Sequence, residues 1–450
     1  MDALHKNIAA ARLAVRSALR EITVRDYLPG QIIYYLGDYP APFRIAPTEY
    51  DEALIRSYAE NGVDMIQVHE EWNDSIEKYG ADKWSSHDPD GMRAFVALCH
   101  RYGIKIIPYC SASLIHQGSR YFREDFCRST FACPDMHYYY RMAWAGSRAW
   151  RDFIIPRTYR VMEDYGFDGI FNDYGYDWQY STLTEIPEDE REPFGPERYD
   201  AEVEELIHEM YEGVKERGGI YKLHIGGADG APVRGKYYDY LWVGEGVQMG
   251  GHGMGKTFAP YVVPCPDKRR LTVPFDADAY YAKTIPYLQF PLLTHGRPTL
   301  GNCVDVEGVA QYNTDLPDHL YQYFCRVREY AKANPNGPYV YSEWSSIPDD
   351  PENYPRFCRY LALYKPMVKD GMLAQIEIRE STDILSPIPD DVLISAFTGE
   401  ERYAVVSNLT DAPYTLVLRE RWQDREGGAC GTCFTVPPRR ILFLKKEEAK

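Results

Sequence analysis

The chain has no apolar run long enough to cross a bilayer, which takes about 20 consecutive apolar residues. None occurs anywhere in its 450 residues. It has no excess of positive charge either: 50 Lys and Arg stand against 67 Asp and Glu, a formal net charge of -17. With no surplus cation to meet phosphates, a nucleic-acid or anionic-membrane partner is disfavoured. Neither GxGxxG nor GxxxxGK[ST] follows the first strand-like run, so nucleotide-binding α/β folds lose their main support. HxH and HExxH are missing and the 11 histidines are dispersed, which removes the usual zinc spacing. Internal repeats and low-complexity segments are absent. The ten cysteines are scattered, with one close pair, Cys430 and Cys433. A single CxxC between strand-like runs is weak support for zinc or thioredoxin-like redox chemistry. Reduced, mostly buried thiols fit better. The N-terminus has no secretory pattern of an apolar stretch and small-residue cleavage site. From these absences a cytoplasmic chain is expected, with neither metal nor cofactor.

What is present begins with an amphipathic helix. Leu4, Ile8, Ala11, Val15, Leu19 and Ile22 recur at helical spacing with charges between them. From Gln31 the pattern becomes strand, helix, strand, helix. QIIYYLGDY is followed by a helix with Thr48 as N-cap and Gly62 as stop. VDMIQVHEEW precedes a helix opening near Asp88 or Asp90 and ending at Gly103. IKIIPYCS, FDGIFNDYG, IYKLHIGG and YDYLWVGEGV continue the series. Such alternation implies parallel strands with crossover helices.

A doubly wound open sheet and a closed barrel compete for this pattern. Polar residues sit at the C-terminal end of strand after strand, and a barrel gathers all those ends around one mouth. The fold reading is therefore α/β: a (β/α)8 TIM barrel over residues 26–371, preceded by the helix of residues 1–25. The stretch GVQMGGHGMGKTFAPYVVPCP reads as a long loop over the mouth. The seventh strand is expected within TIPYLQFPLLTHGRPTLGN and the eighth around Val340 to Trp344. Beyond residue 372 come short strand-like runs without helices, an antiparallel β-sandwich domain over 372–450.

The candidate site follows from the strand ends. FDGIFNDYGYDW closes an apolar strand with acids and rings. The pleat puts Asp173, Phe171 and Gly169 on one face and Asn172 and Asp168 on the other. It does not say which face is the lumen. Asp173 is the first candidate catalytic carboxylate, with an Asx turn or N-cap as its structural alternative. Glu245, between two glycines after an apolar strand, is the second. A dry, tight setting favours the neutral acid and suits proton donation. Asp229 is its rival. Asp168, at the start of its strand, reads as scaffold. Asp38, His69, Glu71, Tyr109, Asn172, His224 and Arg297 supply polar groups for sugar hydroxyls. Trp72, Tyr174 and Trp178 supply ring faces for the C–H faces of a pyranose. The 39 tyrosines and 8 tryptophans are mostly core or surface, and only those near strand ends are candidates.

Two carboxylates across a barrel mouth with aromatic walls suit glycoside hydrolysis, in which one acid protonates the leaving oxygen and the other attacks or supports the oxocarbenium-like centre. The run RAWRDFIIPRTYRVMEDYGFDGIFND, with GVDMIQVHEEW and HRYGIKIIPY, resembles barrel glycoside hydrolases. The domain order is similar to that of the α-galactosidase/α-glucosidase clan, a barrel followed by a small β-sandwich. The resemblance implies a nucleophilic Asp ending the fourth strand, here Asp173, and an acid/base ending the sixth, here Glu245. The chain departs from the clan in carrying Glu at the acid/base position and in lacking its Lys-x-Asp type of nucleophile motif. The α-amylase group, with its acid Glu on the fifth strand, therefore stays open. The expectation is a retaining glycosidase on small α-linked oligosaccharides, possessing a small carbohydrate as its partner and able to form homo-oligomers. A carbohydrate-binding or transglycosylating barrel and a metal-dependent barrel hydrolase are the alternatives.

Overall fold

The computed structural model describes residues 21–37, 44–73, 84–116, 119–133, 140–173, 196–225, 237–243, 261–265, 276–297 and 352–447. Its centre is an eight-stranded parallel sheet. In chain order the strands are β2 (Gln31–Tyr35), β3 (Met65–Val68), β4 (Lys105–Ser111), β8 (Gly169–Asp173), β9 (Ile220–Ile225), β10 (Tyr240–Val243), β11 (Val262–Pro264) and β12 (Leu293–Gly296). Each strand lies beside its predecessor, and β12 returns to pair with β2, Leu293 opposite Ile32. The two remaining edges meet where Leu292 N donates to Pro264 O at 2.7 Å. That contact closes the barrel expected from the sequence.

The outer helices start and stop where side chains satisfy their ends. Thr48 caps the helix Glu49–Glu60 in a capping box with Asp51, and Gly62 follows with φ +78°. Asp88 caps Pro89–Arg101 by accepting from Gly91 N at 3.1 Å. Ser147 caps Arg148–Tyr165, and Gly166 ends it in the left-handed region.

Gly169 is a different case. A Cβ there would lie 1.9 Å from Ile220 O, so only glycine lets β8 approach β9 this closely. Asp168, just before it, accepts from Ile106 N and from His100 Nε2, both at 2.8 Å. This ties the base of β8 to β4, the scaffold role expected of it.

Three expectations need correction. The seventh barrel strand is Val262–Pro264, inside the glycine-rich stretch read as loop. It has only three residues, too few for periodicity to register. The strand expected as seventh, around Leu293, is consequently the eighth. The segment from Val340 to Trp344 lies outside the described residues, as do residues 1–20 of the N-terminal helix. Residues Glu21–Thr23, read as the end of that helix, form β1 and pair antiparallel with Leu373–Gln375. Helical spacing carried Ile22 into the amphipathic pattern, but its backbone is hydrogen-bonded in a sheet.

The C-terminal β-domain is a seven-stranded antiparallel sheet. Its strands are β1, β13 (Leu373–Gln375), β14 (Val392–Thr398), β15 (Arg402–Asn408), β16 (Tyr414–Asp424), β17 (Cys430–Val436) and β18 (Arg440–Lys446), in the spatial order β1-β13-β14-β15-β18-β16-β17. One face, with Phe397, Tyr403, Val405 and Phe443, belongs to the same core as the barrel. The other, with Ile394, Val406, Leu416 and Trp422, forms a core of its own. Cys430 and Cys433 lie on β17 and are exposed, unlike the buried Cys99, Cys110 and Cys265. Three residues apart on a strand, they point to opposite faces.

A three-stranded antiparallel excursion leaves the barrel after β4. It comprises β5 (Leu114–His116), β6 (Cys127–Cys133) and β7 (Tyr140–Ala143). No described helix is long and apolar enough to cross a membrane.

Candidate active site

Hydrogen bonds settle which face of β8 is the lumen. Asn172 accepts from Ala112 N at 2.9 Å and donates to the Tyr221 hydroxyl at 3.0 Å. Tyr221 in turn meets Tyr211 of the helix Pro196–Glu216 edge-on. Asn172 therefore faces the helix layer and stitches β8 to its neighbours. Phe171 and Asp173 face inward, where the Phe171 ring meets those of Tyr109, His224 and Trp242.

Asp173 is held from both sides. The Tyr109 hydroxyl on β4 donates to Oδ2 at 2.5 Å. His224 Nδ1 on β9 donates to Oδ1 in a very short contact. Register makes this possible, because Ser111 lies opposite Asp173 and Tyr109 opposite Phe171. The two donors fix the carboxylate's orientation, and its side chain keeps 13% exposure while that of His224 keeps 2%. The acid is therefore oriented by buried partners and still reaches the mouth. His69, at the end of β3, sits edge-on to Tyr109 with ring centroids 5.2 Å apart. Trp242, opposite His224 in register, packs 4.3 Å from its ring. Sequence reading did not single out Trp242. Its signal was an aromatic three residues before Glu245, on a strand of the same series.

Other candidates face away from this cluster. Trp72 is completely buried, its Nε1 donating to Tyr109 O at 2.7 Å and its ring against Tyr165 and Phe167. No face of it is open for a sugar, which corrects the stacking role expected for it. Glu71 is buried and accepts from Leu36 N at 3.0 Å, joining the ends of β2 and β3. Arg297 is a clamp: Nε donates to Asp51 Oδ1 at 2.8 Å, and its terminal nitrogens donate to the carbonyls of Leu36, Arg44, Ile45 and Ala46. Asp51, itself fully buried, is held below the usual carboxylate range by hydrogen bonds from Arg297 and Tyr34 that outweigh its burial. The substrate contact expected of Arg297 is replaced by this structural one, since its donors are already engaged. Asp38, Tyr174, Trp178, Glu245 and Asp229 lie outside the described residues.

Among the described residues no group of His, Cys, Asp and Glu has a geometry that could hold a metal ion. The described chemistry is that of one oriented carboxylate, two ring-nitrogen bases, a phenol and an aromatic wall, all at strand C-termini. Such a set can support charge at a reacting carbon and position a polyhydroxylated ring.

No family model matches this chain and no curated protein matches it. Solved structures do. A variant of the GH36 α-galactosidase AgaA from Geobacillus stearothermophilus, in complex with 1-deoxygalactonojirimycin, superposes with TM-score 0.56 at 10% identity over 98% of this chain and 59% of that one. This chain thus spans less than two thirds of the galactosidase. A noncanonic maltogenic α-amylase, AmyB from Thermotoga neapolitana, gives TM-score 0.56 at 12% identity, covering 94% of this chain and 100% of that one. An α-amylase from Geobacillus thermoleovorans complexed with acarbose gives 0.53 at 10% identity, over 95% and 100%. At these identities the likeness is one of fold: a TIM barrel followed by a C-terminal β-domain.

Proposed function

We propose that the protein is a glycoside hydrolase that cleaves small α-linked oligosaccharides with retention, using Asp173 as nucleophile and Glu245 as acid/base. The observation that carries this reading is the Asp173 carboxylate, fixed inside the barrel mouth by Tyr109 and His224. In the first step Asp173 attacks the anomeric carbon while Glu245 protonates the departing oxygen. In the second, Glu245 takes a proton from water, which displaces Asp173. Tyr109 and His224 keep the attacking oxygen aligned, and such positioning lowers the barrier without new bonds. The fold neighbours support the class, since galactosidases and amylases share the architecture. Neither neighbour determines the sugar or the linkage.

A panel of α- and β-aryl glycosides tests the reading. On any substrate that is cleaved, Asp173→Asn should lower kcat/KM by about 10³-fold or more, and the first-formed product should keep the substrate's anomeric configuration. Full activity of Asp173→Asn on every cleaved glycoside would overturn the assignment. Sugar binding by calorimetry without product would point to a carbohydrate-binding barrel instead.

A further inference from the structure

The layer beneath the Asp173 cluster is unusual. One pleat below His69, Tyr109, Asp173 and His224 lie, in the same strands, Gln67, Ile107, Phe171 and Lys222. The middle two are apolar, as a barrel floor requires. The outer two are polar and completely or almost completely buried, Lys222 at 0% exposure and Gln67 at 1%. Lys222 Nζ has no hydrogen-bond partner among the described residues, and neither Gln67 Oε1 nor Nε2 has one. The Phe171 ring lies 5.8 Å from Lys222 Nζ.

A buried ammonium without an acceptor is costly, and a buried amide without partners adds to the cost. Burial pushes the Lys222 amine down to about 7. Lys222 lies opposite Phe171 on β8 and Tyr240 on β10, His224 follows it on the same face of its own strand, and the Cys265 thiol just beyond β11 is the titratable group that acts on its amine. The carboxylate one pleat above, Asp173, is held by Tyr109 and His224 rather than by Lys222.

We propose that Lys222, with Gln67, is the floor of the sugar site and recognises an anionic group on the substrate, a carboxylate or phosphate on the exocyclic carbon of the ring. This rests on the glycosidase reading and narrows its substrate class to acidic glycosides. An ammonium and a primary amide supply the donors that a carboxylate or phosphate accepts. Arrival of the anion favours the charged amine, so binding above neutral pH takes up a proton.

The full chain is titrated calorimetrically with glucuronate, galacturonate, glucose 6-phosphate, glucose and galactose, near pH 8 in two buffers of different ionisation enthalpy. Anionic sugars should bind about 10-fold or more tightly than their neutral parents and take up close to one proton per site. The ratio of carboxylate to phosphate affinity separates the two anions. Lys222→Met should abolish both the preference and the proton uptake, so that anionic sugars bind no more tightly than their neutral parents. Lys222→Arg, which keeps the charge should Lys222→Met not fold, should retain the preference without the uptake, because a guanidinium stays protonated. Equal affinity for neutral and anionic sugars, or an unchanged preference in Lys222→Met, overturns the proposal and leaves the glycosidase reading standing. Failure of every sugar to bind and of every glycoside to be cleaved overturns both.

Discussion

At the scale of residues, identical chemistry serves opposite ends according to the face it is on. His224 and His295 both end barrel strands. His224 points into the lumen and donates to Asp173. His295 points outward, where its Nδ1 and the Tyr58 hydroxyl share a hydrogen bond of 2.6 Å and its ring stacks on Tyr354. Burial pushes His295 down to about 4. Burial disfavours the charged imidazolium. Because the folded value is depressed from the ordinary 6.5, the unfolded chain binds the extra proton between the two. The stability this neutral histidine preserves is full above about 6.5 and is lost as pH falls towards 4. Replacing His295 with Gln should flatten the decline of Tm between pH 6.5 and pH 4, by an amount equivalent to roughly 3 kcal/mol at most. Parallel Tm–pH profiles of the two proteins check this, and superimposable slopes would exclude the role.

At the scale of elements, the site depends on how closely β8 and β9 run. Gly169 lies against the backbone of Ile220, and the register that follows brings Asn172 opposite Leu223. One residue of slip would turn Asp173 toward the helices. Gly169→Ala places a methyl group 1.9 Å from Ile220 O, and backbone cannot yield as a flexible side chain does. The substitution should cost more than about 3 kcal/mol, in the range of severe overpacking and strain. Denaturant unfolding provides the measurement, and a loss below 1 kcal/mol would show that the strands separate without difficulty. The sequence made much of this level legible. The alternation of strands and glycine-ended helices, the caps Thr48 and Asp88, and the shared face of Phe171 and Asp173 all follow from local physics. The strand Val262–Pro264 did not, because three residues among glycines carry no period. Trp72 and Arg297 were misplaced for a related reason. Position at a strand end is visible in sequence, but the direction of a side chain just past that end depends on how the chain bends.

At the scale of the whole molecule, the barrel and the β-domain share one hydrophobic core. Phe397, Tyr403, Val405 and Phe443 pack with barrel residues, and Tyr360 meets Phe443 with centroids 6.1 Å apart. Polar ties reinforce the junction: Arg440 Nη1 donates to Asp276 Oδ2 at 2.9 Å, and Ser395 Oγ to Pro286 O at 2.8 Å. The β-domain also takes in β1, which lies before the barrel in sequence. Removing everything after residue 371 would expose this core face and leave β1 without its partner. The truncated chain should therefore be insoluble or lack a cooperative thermal transition, whereas the full chain should unfold with the two units coupled. A soluble, cooperatively folding barrel alone would show that the junction is dispensable.

The sequence by itself determined the class of architecture, the order of its units and Asp173 as the acid at the fourth strand's end. Those follow from periodicity, caps and turn residues, which act over a few positions along the chain. Only the tertiary structure decided that Tyr109 and His224 hold that acid and that Asn172, Glu71, Trp72 and Arg297 serve the scaffold. It also revealed Lys222 and Gln67 beneath the site. A strand's pleat defines two faces locally, but which one becomes the lumen is settled by closure of the barrel, and closure joins residues hundreds of positions apart.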